Sequence, residues 1–240
     1  MARPFYTPAC AKATAGRQRR FLYNMVVEIL PINKVLEEVT SPINGKISVV
    51  RSLGLGTYIQ VENLTQSGGI VREVWQSALR TVNHEQLTTN SCLILGLGGG
   101  TAAMLAKELW PNVKITGVDI DPMMVQLGKK YLGLEGIDAV IEDADNFVLS
   151  AVKSSKKYDL ILVDTYLGDN FPKKFERDDF FVRLKGILSA NGLIIFNRLY
   201  YGEKRPEAMK FAAKLERVFS KVKYIFPEAN VMFVCYNKEA

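Results

Sequence analysis

The run Cys92-Leu93-Ile94-Leu95-Gly96-Leu97-Gly98-Gly99-Gly100-Thr101 is where residue types in order first imply chemistry. An apolar strand ends in glycines, which let a backbone approach a ligand closely, and the helix that follows offers free N–H groups to an anion. Dinucleotide sites of this kind carry Gly or Ala at the sixth motif position, where this chain has Thr101. A tight strand-to-helix turn with no ligand is the other meaning of the pattern. Asp119 follows about twenty residues on, a spacing at which a carboxylate accepts both hydroxyls of a ribose. Asp121, with Pro122 behind it, reads as the cap of the next helix.

A third acid ends the next strand, in Glu142-Asp143-Ala144-Asp145. Asp143 can accept the exocyclic amine of an adenine while Ala144 meets the ring, or it can simply cap a helix. Dinucleotide enzymes have no general need of an acid there, so the set favours an S-adenosyl compound over a nicotinamide. The fourth strand runs Asp159-Leu-Ile-Leu-Val-Asp164-Thr165-Tyr166. Reacting groups in open parallel sheets lie outside the carboxyl ends of strands. Asp164 is thus a candidate base for an incoming amine, or a polar clamp beside a sulfonium, with loop capping as the structural alternative.

The elements that must position these acids follow from periodicity. Short apolar runs (Cys92–Leu95, Lys114–Val118, Ala139–Ile141, Leu160–Val163, Leu193–Phe196) alternate with helical segments (Thr101–Leu109, Pro122–Leu132, Ala144–Val152, Asp178–Leu188). That alternation predicts a Rossmann-like, doubly wound α/β fold with a mostly parallel sheet. A helix over Pro206–Phe219 then leads to Lys223–Phe226 and Val231–Tyr236, an antiparallel pair at the sheet edge. Upstream, Lys34–Thr40, Lys46–Arg51 and Thr57–Glu62 read as strands of a small β cap, and Gly69–Val82 as an amphipathic helix. The expected division is a basic tail over 1–24, the cap and linking helix over 25–85, and the nucleotide-binding domain over 86–240.

Bulk properties narrow the classes. With 48% apolar and 23% charged residues in 240, a core without staples is expected. Three cysteines suit buried free thiols in a reducing cytoplasm better than a disulfide or metal framework. The net charge of +6 is local: residues 1–24 hold Arg3, Lys12, Arg17, Arg19 and Arg20 and no acid, and without them 26 bases face 25 acids. No nucleic-acid face is expected, nor a membrane span, since no run reaches roughly 20 apolar residues.

From roughly Lys46 to Phe196 these residues resemble the spermidine synthase family of aminopropyltransferases. Gly117-Val-Asp119-Ile-Asp121 with Lys129-Lys130-Tyr131-Leu132 is similar to that family's E-I-D and K-K-[FY]-[LF] stretches, and Asp164 falls on the first aspartate of its D-S-S-D-P motif. The resemblance implies that Asp164 deprotonates the attacking amine, that Gln60 lies near the nucleotide, that Glu73 matches a helix glutamate, and that the protein is a homodimer. Three departures fall in the substrate site: Gly99 replaces an aspartate, Leu167 replaces the second aspartate with Asp169 nearby, and Val71 replaces a tyrosine. A polyamine needs acids and aromatic faces along its channel, so these losses count against one.

The leading reading is therefore a transferase using S-adenosylmethionine or its decarboxylated form, without a metal, acting on a small amine. Gly99 tilts it toward methyl transfer, because backbone N–H groups there can receive a carboxylate. The nucleotide set is Gln60, Gly96, Gly98, Gly99, Gly100, Thr101, Asp119, Ile120, Asp143 and Ala144; Tyr166 and Asp169 face the acceptor. Aminopropyl transfer, a nucleotide-binding protein without turnover, and a nicotinamide-linked oxidoreductase are the alternatives, the last disfavoured by Thr101 and Asp143.

Overall fold

The computed structural model describes residues 33–84 and 89–237, so the basic tail over 1–24 lies outside the described residues. Four strands, β1 (Asn33–Ser41), β2 (Gly45–Ser52), β3 (Gly56–Val61) and β4 (Leu64–Gly68), form one antiparallel meander in sequence order. Helix α1 (Gly69–His84) leads from it. Then β5 (Ser91–Leu95), α2 (Thr101–Leu109), β6 (Lys114–Asp119), α3 (Pro122–Tyr131), β7 (Asp138–Ile141), α4 (Ala144–Lys153) and β8 (Tyr158–Val163) alternate. A short 3₁₀ turn (Lys173–Glu176), α5 (Asp178–Gly186), β9 (Leu188–Leu199), α6 (Lys204–Val218), β10 (Lys221–Ile225) and β11 (Asn230–Tyr236) complete the chain.

The second sheet has seven strands in the order β10-β11-β9-β8-β5-β6-β7. Strands β5 to β9 pair in parallel, while β11 runs antiparallel to β9 and β10 to β11. The mostly parallel sheet with an antiparallel C-terminal edge agrees with the periodicity. Its two faces are covered by separate cores. One buries Phe180, Phe181, Phe196, Phe211 and Phe233 under α5 and α6. The other buries Trp75, Leu79, Ile94, Leu105 and Leu162 under α1 and α2. Alternate residues of β8 feed the two cores, Ile161 and Val163 the first, Leu160 and Leu162 the second. Cys92 and Cys235 are buried free thiols, and burial pushes both up. No helix among the described residues is long and apolar enough to cross a membrane.

Two differences from expectation bear on the site and the sheet. The segment Leu64–Gly68 forms a fourth strand where the sequence suggested none, because Leu-Thr-Gln-Ser-Gly carries one apolar side chain and no alternation. Helix α5 stops at Gly186, and Leu188 already pairs with Tyr158 in the sheet.

The small sheet is tied to the large one through Asp121. This fully buried carboxylate caps α3 by accepting the Met123 N–H (2.9 Å). It also accepts Ser41 Oγ (2.5 Å) and Asn44 Nδ2 (2.7 Å) from the β1–β2 turn.

Candidate active site

A cleft of about 380 Å³ opens at the carboxyl ends of the parallel strands, within the usual size for small-molecule sites. Its walls come from β4 and α1 on one side and from the loops after β5, β6, β7, β8 and β9 on the other.

The glycine loop after β5 is held from several directions. Gly96 and Leu97 N–H both donate to Val118 O (2.9 and 3.0 Å), and a side chain at Gly96 would run into the Asp164 carbonyl at 2.2 Å. Gly98 N–H donates to Asp119 Oδ2 (2.6 Å), Gly99 N–H to Ser67 Oγ (2.8 Å), and Gly100 N–H to Leu97 O (2.9 Å). Thr101 Oγ1, at the start of α2, accepts the Gly68 N–H (2.7 Å). The expectation that the Gly99 N–H receives a carboxylate is therefore corrected: Ser67 already holds it. Gly99 faces Ile59, Leu132 and Ser67, all within 3 Å of where its Cβ would stand, and neither it nor Gly100 lines the cleft. Gly96, Gly98 and Thr101 do.

Asp119 ends β6 in the cleft wall. Besides Gly98 it accepts the Asp121 N–H on Oδ1 (2.8 Å), and burial raises it against the lowering effect of these two bonds. Each oxygen keeps a lone pair for a ligand hydroxyl. Beside it Ile120 is an exposed apolar side chain in the wall, suited to the face of an aromatic base. Asp143 and Ala144 also line the cleft. Asp143 does cap its helix, accepting Asp145 N–H (3.0 Å), and it pairs with Lys174 across the cleft. Thr165 also lines the cleft, and its Oγ1 is buried without a hydrogen-bond partner among the described residues.

Asp164 stands one residue past β8. Its Oδ2 accepts the Trp75 indole N–H (2.9 Å) from α1, and its Oδ1 accepts Asn197 Nδ2 (2.9 Å) from β9. Asn197 Oδ1 is held in turn by Asn230 Nδ2 (2.8 Å). Burial pushes Asp164 up to about 6; the Trp75 and Asn197 bonds lower it, and the charge of Asp119 adds to the rise. A carboxylate in that range takes a proton near neutrality and remains mostly ionised above it. Tyr166 lines the cleft; its hydroxyl accepts the Leu199 N–H (2.8 Å) while its ring packs edge-on against Phe171.

Two other expectations are corrected. Gln60 lies on β3, between Ser48 and Thr65, and does not line the cleft; β4 does, through Thr65 and through Gln66, whose amide donates to Gly168 O (3.2 Å). Asp169 is also outside. Mutual backbone bonds between Leu167 and Asn170, with Gly168 at φ 60°, turn it outward, where it pairs with Lys204 (3.3 Å). Trp75, Asn197 and Gln66 are functional candidates that the motifs missed. A signal existed for two. A tryptophan on an apolar helix face needs a partner for its N–H. A polar residue ending the run Leu193–Phe196 obeys the same strand-end rule that singled out Asp164.

Comparison with known proteins agrees with this architecture. The chain is 35% identical over 108 residues to the probable polyamine aminopropyl transferase of Bifidobacterium longum, covering 45% of this chain and 24% of that protein. It is 29% identical over 176 residues to the eEF1A lysine and N-terminal methyltransferase homolog of Drosophila pseudoobscura pseudoobscura, covering 68% of this chain and 26% of that one. The chain thus spans about a quarter of the length of these relatives. Among solved structures, human methyltransferase-like protein 13 in complex with SAH superposes with a TM-score of 0.56 at 24% identity, over 70% of this chain and 79% of that one. The Spermine/spermidine synthase domain model matches residues 73–236, more than half of the sequence, and the chain belongs to that family.

Proposed function

We propose that the chain transfers an alkyl group from the sulfonium of an S-adenosyl nucleotide to an amine, with Asp164 as the proton acceptor. The observation that carries this is the position of Asp164: at a strand end, in the cleft wall, its carboxylate bonded among the described residues only by the neutral donors Trp75 and Asn197. The donor's ribose is read by Asp119, and its adenine lies between Ile120 and the Asp143–Ala144 turn. The sulfonium is already activated, so the protein aligns the nucleophile in line with the carbon–sulfur bond and removes a proton. The amine lone pair forms the new carbon–nitrogen bond as the carbon–sulfur bond breaks, the thioether leaves, and Asp164 takes the amine proton.

Methyl transfer from S-adenosylmethionine is the reading we carry. Its original reason, a carboxylate on the Gly99 N–H, no longer stands. A different one replaces it: the loop offers no acid at position 99 to hold an aminopropyl end, and a side chain there would have to displace Ile59, Leu132 and Ser67. The methyltransferase relatives add support. Aminopropyl transfer is the second reading. It is favoured by a cleft lined by Asp119, Glu142, Asp143, Asp164 and Glu228 against one base, Lys174.

Calorimetric titration with S-adenosylmethionine and with its decarboxylated form tests both. Tighter binding of the carboxylated nucleotide supports methyl transfer, preference for the other supports aminopropyl transfer, and binding of neither removes the proposal.

A further inference from the structure

We propose that Trp75 is the positioning residue of this reaction: its indole N–H fixes the orientation of the Asp164 carboxylate and keeps it in the proton-accepting form. The inference rests on the role given to Asp164 above.

Trp75 is 1% exposed, so its N–H has no water to turn to, and the bond to Asp164 Oδ2 at 2.9 Å is its one hydrogen bond among the described residues. The ring belongs to the same buried core as Leu79, Ile94 and Leu162, and close packing restricts the rotamers of a side chain this large. On the other side Asn230 orients the Asn197 amide, so its NH₂ rather than its oxygen faces Asp164. The carboxylate is gripped at both oxygens, from α1 and from β9, and its remaining lone pairs face the cleft.

The choice of donors matters as much as their position. A lysine or arginine at either place would hold the carboxylate ionised but leave it a weak base. With no donor on Oδ2, burial would push it further toward the protonated form and leave less of it able to accept near neutrality. Among the described residues the groups facing Asp164 from its neighbours are few: Asp119 from the end of β6, which opposes its ionisation, the Tyr166 phenol from its own loop, and neutral Trp75 and Asn197. Arg198 follows Asn197 but packs between Phe171 and Phe211 and pairs with Glu176. Among the described residues no cation holds Asp164 ionised in place of the indole.

Two measurements test this. The sequence has two tryptophans, Trp75 and Trp110, so in a Trp110→Phe chain the emission reports Trp75 alone. We expect that emission to titrate with a midpoint near that of Asp164, and the titration to vanish when Asp164→Asn is added. A flat profile in the first chain, or an unchanged titration in the second, overturns the proposal. This reading needs no substrate, so it judges the bond even if transfer is never detected, an outcome that would sink the proposed function instead. In the second, Trp75→Phe keeps most of the ring and deletes the donor. The acid limb of its kcat/KM profile should move up by about one pH unit, from loss of one hydrogen bond to a charged acceptor. Alkaline rates should return toward those of the unmodified chain. A loss equal at every pH would mean packing alone, and would overturn the proposal.

Discussion

Strand β8 carries an aspartate at each end, and the two are opposites. Asp159, at the entry, accepts Asn90 N–H, Ser91 N–H and Ser91 Oγ on one oxygen (3.0 Å each) and Ser189 Oγ on the other (2.8 Å). Burial pushes it up, but Ser189, Asn90 and Ser91 outweigh that and hold it below the usual carboxylate range. Asp164, at the exit, has two donors and a cleft before it, and burial wins. The same side chain on the same strand becomes a staple joining β5, β8 and β9 at one end and a proton acceptor at the other. The depth of burial and the number of donors together decide which.

The comparison breaks most visibly in rate. Asp164→Asn should slow transfer by roughly 10²–10⁴-fold with nucleotide affinity nearly unchanged; wild-type turnover in steady-state kinetics would remove its role as base. Asp159→Ala should leave turnover per folded molecule alone and cost about 2–3 kcal/mol of stability, the value of hydrogen bonds to a charged acceptor. Denaturant unfolding measures it, and pH sharpens it. A carboxylate lowered in the fold stabilises above its unfolded range, near 3.9, and that contribution is lost as pH falls through the folded value. The stability curves of Asp159→Ala and the unmodified chain should therefore converge in acid.

Asp119 is the intermediate case, buried yet bonded by two backbone N–H groups. Asp119→Ala should weaken nucleotide binding by about 1–3 kcal/mol in calorimetry; equal affinity would take it out of the site. The smallest effect has the opposite sign to Asp159. Because Asp164 is raised to about 6 in the fold, its ionisation opposes folding: the protonated form is fully favourable below about 3.9 and that advantage is lost as pH rises toward 6. Asp164→Asn should thus gain about 1 kcal/mol at neutral pH, less than the full shift because an amide cannot accept from both Trp75 and Asn197. Thermal melts at pH 5 and 8 would show whether the gain appears only at the higher pH.

Why some of this was legible is a matter of range. The parallel sheet could be read because each apolar run is followed by a helical one, and Asp119, Asp143 and Asp164 because the strand-end rule is local. Strand β4 could not, since Thr65, Gln66 and Ser67 have no apolar partner spacing, and with it went Gln66, the glutamine that lines the cleft. Asp169 was expected in the site because it follows Asp164 closely, but it sits within the four-residue turn Leu167–Asn170, which points it outward. The Gly99 N–H was expected to be free because its partner, Ser67, lies 32 residues away on the missed strand.

The buried carboxylate of Asp121 has one further consequence. It is the cap of the helix after Asp119 and at the same time the anchor of the β1–β2 turn. The meander is therefore no ornament that can be cut away. A chain shortened to begin at α1 would strip Asp121 of Ser41 and Asn44, free Gly99 from Ser67, and take away the wall that carries Gln66. Heat should melt the two sheets in one transition rather than two, and the shortened chain should bind no nucleotide.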